Sequence, residues 1–135
     1  FYFFDMGVTR ALTRRLTVPV EPRTPDFGRA FEHFMILETT AWASYGKRDY
    51  AFSYYRTEAG AEVDLVIETP RGNTCAVEIK ATEVVDSSHL KGLRSFVQAF
   101  PSARLSCVAL VPRRITVGGV TVLPWQDLPE WLDPM

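Results

Sequence analysis

The chain has 135 residues, a length typical of one domain, and 47% of its residues are hydrophobic and 23% charged. This composition is close to that of globular proteins and argues against a disordered chain. Fifteen basic and sixteen acidic residues give a net charge of −1, which excludes the strongly basic domain that is the simplest indication of nucleic-acid binding. Because no apolar run is long enough to cross a bilayer and no signal sequence is found, we expect a cytoplasmic location and no membrane partner.

The N-terminal third of the sequence predicts a short strand and two helices. Four consecutive aromatic residues at 1–4 indicate a buried strand, and residues 6–16 indicate a helix that Asp5 caps. A proline-rich connector follows. Residues 25–45 then predict a second helix with a broad apolar stripe, and Glu32 lies beside that stripe.

The remaining sequence predicts a sheet made of short strands. Strands are predicted over residues 51–56, 61–68, 74–81 and 105–111 and in a hairpin over 115–123, with helices over 87–100 and 125–132. Cys75 and Cys107 fall in two of these strands, and without a CxxC pattern we expect both to be buried thiols. The element order predicts an α/β or α+β fold in which helices flank a mixed sheet.

The central hairpin carries the residues best suited to chemistry. Its strands alternate apolar and polar residues, so packing their apolar faces together forces Asp64, Glu78 and Lys80 onto the opposite face. If residues 70–72 form the loop tip, Asp64 lies directly across from Glu78. Two carboxylates so close require a raised pKa or a cation between them. Lys80 supplies part of that positive charge, and Mg²⁺ would supply it better.

The same alternation is also typical of an ordinary solvated hairpin. On the outer face of an antiparallel hairpin, Asp, Glu and Lys are common residues without a special function. In this interpretation Val63, Leu65 and Ile67 face the core, and the charged side chains face water.

The charged residues resemble a known nuclease motif. In the PD-(D/E)xK superfamily, which has the restriction-endonuclease-like fold, a helical Glu, a strand Asp and an E-x-K on the next strand form a Mg²⁺ site for phosphodiester cleavage. Matched residue by residue, the resemblance implies catalytic roles for Glu32, Asp64, Glu78 and Lys80. It further implies that Asp64 and Glu78 bind Mg²⁺ or Mn²⁺.

Nearly the whole chain is similar to the uncharacterised C-terminal domain of prokaryotic AAA-type ATPases. The similarity lies in the segments FYFFDMG, FGRAFEHF, YYRTEAGAEVDLVI, AVEIKAT, HLKGLRSF and LPWQDL. It implies that residues 1–135 are a single nuclease-like domain, and that an upstream ATPase domain of the same chain is its partner. Because no Walker A sequence occurs, no nucleotide site is expected within these residues.

A polar stripe on the predicted helix over 87–100 is a candidate nucleic-acid surface. Lys91, Arg94 and Gln98 recur there at helical spacing, opposite the apolar positions. They suit either contacts with DNA phosphates or a solvated helix face. His33 is expected on the surface of its helix rather than as a metal ligand.

The sequence is therefore compatible with two functions. The first is Mg²⁺-dependent cleavage of DNA at the Asp, Glu and Lys side chains. The second is a non-catalytic nuclease-like module that docks the ATPase to a protein or a nucleic acid. Convergence of the charged side chains in a structure would distinguish an assembled site from a solvated face.

Overall fold

The structure is a computed structural model that describes residues 4–133. Its helices are α1 (Met6–Leu12), α2 (Pro25–Tyr45), α3 (Lys91–Ala99) and α4 (Leu128–Leu132). Its strands are β1 (Ala51–Arg56), β2 (Glu62–Glu68), β3 (Thr74–Lys80), β4 (Arg104–Ala109), β5 (Ile115–Val117) and β6 (Val120–Pro124). The predicted α/β class, a mixed sheet with flanking helices, is confirmed. No helix within residues 4–133 has the length and apolar character needed to span a membrane.

The six strands form one sheet in the order β1-β2-β3-β4-β6-β5. The first three strands form an antiparallel meander. Strand β4 is parallel to both β3 and β6, and β5 pairs antiparallel with β6 at the edge of the sheet. Parallel pairing of β3 with β4 requires a crossover connection, and α3 lies in that connection. The antiparallel and parallel parts of the sheet therefore meet at β3.

Helices cover both faces of the sheet. One apolar cluster joins α2 and α4 to the sheet and includes Met35, Leu65, Val77, Leu123 and Leu128. The second cluster joins α3 to the opposite face and includes Val66, Leu93, Phe96, Cys107 and Val122. Because both faces are covered, the central strands are apolar on both sides, and a charged side chain on them requires a partner.

The two thiols lie in these clusters on opposite faces of the sheet, so no disulfide joins them. Burial raises the pKa of Cys75 to about 11 and that of Cys107 to about 12. Both thiols therefore stay protonated at neutral pH, and the prediction of buried thiols is confirmed.

The helix starts follow the predicted caps, but α1 ends early. The side chain of Asp5 accepts a hydrogen bond from the Val8 amide, and that of Thr24 caps α2. The prediction that the first helix continues to residue 16 is wrong, because Arg14 has a φ of 56° and ends the helical path. The guanidinium of Arg10 donates to the carbonyl oxygens of Arg15 and Val18, and these bonds stabilise the turn that follows α1.

The predicted buried strand at residues 1–4 is wrong at Phe4, which lies in a bend and is 81% exposed. Asp5 caps α1 directly afterwards, so the chain turns here and cannot continue as a strand. The other three aromatic residues lie outside the described residues.

Candidate functional site

Strands β2 and β3 pair in the predicted register as far as the candidate site. Leu65 lies opposite Val77, as the predicted loop tip requires. The next pair would be Asp64 and Glu78, but the ladder of paired residues ends before it. Instead, Oδ2 of Asp64 accepts a hydrogen bond of 2.7 Å from the main-chain nitrogen of Ile79. A carboxylate oxygen thus takes the place of a main-chain carbonyl, which fixes the Asp64 side chain against β3.

A β-bulge in β2 corrects the predicted alternation. Against β1, Val66 pairs with Ser53 but Val63 pairs with Tyr55, so β2 uses three steps where β1 uses two. Val63 consequently packs in the apolar cluster beneath α3. Strict alternation predicted it on the opposite face of the sheet, together with Leu65 and Ile67. The bulged stretch contains Asp64, and bulges re-aim the side chains around them.

Asp64, Glu78 and Lys80 converge as the hairpin register predicts, and we call them the carboxylate cluster. Nζ of Lys80 lies 2.6 Å from Oε1 of Glu78 and 3.6 Å from Oδ2 of Asp64. Glu78 is only 6% exposed, which excludes the interpretation of a solvated outer face. Its second oxygen, Oε2, is buried and has no hydrogen-bond partner within residues 4–133.

Burial and charge shift the protonation of this cluster. The pKa of Glu78 is raised from 4.5 to about 7, mainly by burial. The charges of Asp64 and Glu32 contribute to this rise, and Lys80 opposes it. Burial tends to lower the pKa of Lys80, but the two carboxylates outweigh burial and raise its pKa above 10.5. At neutral pH, Lys80 is therefore a cation, and the carboxyl group of Glu78 is close to half-ionised.

We expect Glu78 to make the protein less stable as the pH rises. A group whose pKa is higher in the folded state stabilises that state while protonated, so stability falls between pH 4.5 and about 7. The loss amounts to about 3 kcal/mol across this interval, at 1.36 kcal/mol per pKa unit. Urea unfolding of wild type and Glu78→Gln at several pH values measures it, because glutamine cannot ionise. Parallel stability curves for the two proteins would contradict the raised pKa.

The first turn of α3 covers the cluster, and Gly92 permits the close approach. A Cβ atom built on Gly92 would lie 1.6 Å from the main-chain oxygen of Glu62 and 3.4 Å from Oε2 of Glu78. Only glycine therefore fits between α3 and β2. Sequence reasoning missed this residue, although a lone glycine in an amphipathic helix indicates a close packing contact.

The predicted helical acid approaches the same cluster from the other face of the sheet. Glu32 is half-buried on α2, and its charge raises the pKa of Glu78. His33, its neighbour, is only 8% exposed, so the expected surface position for this histidine is wrong. The apolar stripe of α2 is broad enough to bury it.

The predicted nucleic-acid stripe is exposed on α3 but diverges from the cluster. Lys91, Arg94 and Gln98 all face solvent. Lys91 adjoins the close contact at the start of α3. A methyl group on Gly118 would lie 2.8 Å from Nη2 of Arg94, so this guanidinium reaches the turn between β5 and β6. That hairpin forms the far edge of the sheet, away from β2 and β3.

The donor set suits a cation that needs few protein ligands. Within residues 4–133, no group of three or more His, Cys, Asp and Glu side chains is arranged to hold a metal ion. The cluster offers two carboxylates, which is the number that Mg²⁺ takes when waters and phosphate oxygens complete its octahedral shell. The unbonded Oε2 of Glu78 retains its lone pairs for such a cation.

Fold and site together define an α/β domain with a partly buried lysine–carboxylate cluster at the centre of a mixed sheet. The chain belongs to the family described as a domain of unknown function, DUF4143, whose family model matches residues 27–128. That segment includes all four residues of the nuclease-like pattern. Comparison with curated proteins and with solved structures gives no match. The functional assignment therefore depends on the chemistry of the cluster.

Proposed function

We propose that this domain is a Mg²⁺- or Mn²⁺-dependent nuclease that hydrolyses phosphodiester bonds of DNA, joined in its parent chain to an AAA-type ATPase domain. The observation that carries the proposal is the state of Glu78. One of its oxygens bonds Lys80, and the other is buried without a hydrogen-bond partner among the described residues. Leaving a buried carboxylate oxygen unsatisfied costs free energy, so such a group commonly has a functional reason.

The side chains divide the chemistry between them. Asp64 and Glu78 would hold the cation, and Asp64 is already oriented by its bond from the Ile79 amide. Bound Mg²⁺ polarises a phosphate oxygen and lowers the pKa of water. Lys80, whose raised pKa keeps it protonated, stabilises negative charge that develops on the phosphate. Glu32, on the separate helix α2, would bind the cation directly or through a water molecule.

The arrangement of the acidic and basic residues matches the nuclease-like pattern in order as well as in proximity. The helical acid precedes the antiparallel meander, the Asp is on its second strand, and the E-x-K is on its third. This order supports the restriction-endonuclease-like fold as part of the proposal. The ATPase partner rests on the sequence similarity alone.

A second candidate function is a non-catalytic module that docks the ATPase to a partner. The favouring observation is that Lys80 already bonds Glu78 and lies near Asp64, so the cluster is largely neutralised without a metal. In that case the cluster is a structural ion pair, and the loss of either carboxylate changes stability alone.

Titration of Mn²⁺ should give one saturable binding event, which Asp64→Asn and Glu78→Gln each abolish. At a hundredfold excess over Kd the metal should stabilise wild type by about 2.7 kcal/mol. Asparagine keeps an oxygen that can accept the bond from Ile79, so Asp64→Asn removes charge with little loss of structure. Calorimetry and thermal unfolding at pH 8, where Glu78 is ionised, measure both effects.

Glu68→Gln is the matched control for metal binding, because Glu68 is an exposed acid at the other end of β2. Equal heats for wild type and Asp64→Asn would overturn the metal site. Cleavage is tested in the full-length parent with ATP, Mg²⁺ or EDTA, and linear, branched and single-stranded DNA. No cleavage, together with normal cellular function of a parent carrying Asp64→Ala and Glu78→Ala, would favour the docking module.

A further inference from the structure

A groove lined by charged and apolar side chains lies between α1 and α2. Its volume is about 540 Å³, which is within the range of ligand-binding clefts. The residues that line it include Thr9, Arg10, Thr13, Arg15, Arg29 and Glu32. Its three guanidinium groups are donors suited to phosphate oxygens, whereas the hydroxyl groups of Thr9 and Thr13 already donate to main-chain carbonyls.

The arginines of the groove have more donors than their protein partner can accept. Arg15 and Arg29 each bond Asp26 through Nη2, so one carboxylate serves two guanidinium groups. A guanidinium has five N–H donors. Against the carboxylates of Asp26 and Glu32, the three guanidinium groups leave the lining with one positive charge in excess, and Arg15 and Arg29 retain donors for a further anion.

The wall of the groove is held in place by internal bonds. Nη2 of Arg10 donates to the carbonyl oxygens of Arg15 and Val18. These two bonds hold the turn after α1 against α1 itself. Arg15 then lies against Asp26 at the start of α2 and donates to its carboxylate. Binding an anion here would require little reordering of the backbone, which favours affinity.

Glu32 links the groove to the carboxylate cluster. It lines the groove, and its charge is felt at Glu78 across the sheet. Helix α2 also packs directly on β3, the strand that carries Glu78 and Lys80, so the groove and the cluster are built on two elements in contact. The exposed stripe of α3 begins at Lys91, next to the cluster, but leads away from it, since Arg94 reaches the turn at the far edge of the sheet.

We infer that the groove between α1 and α2 binds phosphates of a nucleic-acid strand that flanks the bond held at the carboxylate cluster. The inference rests on the proposed function for its choice of ligand. Arg15 and Arg29 bind the phosphate oxygens through the donors that Asp26 leaves unused. The groove rather than the α3 stripe thus sets the path of the strand.

The test uses fluorescence anisotropy of the intact protein with a labelled 12-nucleotide single strand in EDTA, so that no cleavage occurs. The double variant Arg15→Gln, Arg29→Gln should bind about 25-fold more weakly at 0.1 M salt, and its salt slope should fall by about 1.4, as expected for two lost contacts on a single strand. The double variant Arg71→Gln, Arg113→Gln removes the same charge from exposed sites elsewhere and should bind nearly as wild type does.

Asp26→Asn supplies an opposite expectation. It frees both guanidinium groups from their shared carboxylate, so strand binding should tighten by several-fold. If the arginines only support the fold, Asp26→Asn weakens or leaves binding unchanged, and the inference is overturned. Thermal unfolding checks that each variant folds, since exposed ion pairs contribute only about 0–1 kcal/mol.

The outcomes separate the groove from the nuclease activity. If the double variant Arg15→Gln, Arg29→Gln binds the strand normally, the inference about the groove is overturned, and the proposed metal site is unaffected. Loss of binding in that variant, with an intact Mn²⁺ response at the cluster, supports the groove even if wild type cleaves nothing. Competition by AMP or inorganic phosphate at the concentration effective for the strand would indicate a mononucleotide or phosphate site and overturn the inference, as would a wild type that binds no strand.

Discussion

Replacement of Gly92 by alanine should lower the free energy of unfolding by about 2–3 kcal/mol, at the upper end for overpacking. The added methyl group would lie 1.6 Å from the main-chain oxygen of Glu62, and no side-chain rotation relieves that clash. We expect α3 to move away from β2 and admit water to Glu78. The pKa of Glu78 should then fall toward 4.5, because burial is the largest cause of its shift.

Gly28→Ala is the matched control, since Gly28 lies within α2 and a methyl group there would contact nothing within 4 Å. Alanine is favoured over glycine in helices, so this variant should gain about 0.5–1 kcal/mol. Urea unfolding compares the two variants, and the pH dependence of stability reports the state of Glu78. If both substitutions stabilise the protein, α3 does not pack on β2 as closely as described.

Lys80→Met should reduce DNA cleavage by roughly 10²–10³-fold, the loss expected for one donor to transition-state charge. Methionine keeps the length and apolar contacts of the side chain but removes its cation. Mn²⁺ binding should persist at pH 8.5, because the carboxylates lose a competitor for their oxygens. At pH 6.5 binding should weaken, since Lys80 lowers the pKa of Glu78 and its loss leaves more of that carboxyl protonated.

Single-turnover cleavage and calorimetry at the two pH values separate these effects. Lys47→Met is the control, because Lys47 is exposed just after α2 and contributes a comparable charge. Cleavage by Lys80→Met at the wild-type rate would reduce Lys80 to a structural ion pair. Loss of metal binding at both pH values would instead show that Lys80 organises the carboxylates.

The hairpin register could be predicted from the sequence because it depends on local information. A short turn and two alternating strands determine which residues face each other, so Leu65 opposite Val77 follows from the loop tip. The convergence of Asp64, Glu78 and Lys80 follows in turn. The caps Asp5 and Thr24 were likewise predictable, since the capping residue bonds an amide within its own first turn.

The environment of the site could not be predicted in the same way. The bulge that displaces Val63 exists only relative to β1, and the burial of Glu78 depends on α3, which crosses β2 after a long connection. The early end of α1 coincides with the positive φ of Arg14, and Arg10 holds the following turn by bonding carbonyls five and eight residues away. These contacts join separate elements, and periodicity within one segment carries no information about them.

The bond from Ile79 to Asp64 makes one backbone amide a spectroscopic probe of the carboxylate cluster. That amide depends on a side-chain carboxylate, whereas its neighbours in a ladder are held by carbonyl groups. Any event that rotates or recharges Asp64 therefore alters the Ile79 resonance and its hydrogen-exchange rate directly. A single ¹⁵N-labelled isoleucine at position 79 could follow occupancy of the cluster without a substrate or an assay of turnover.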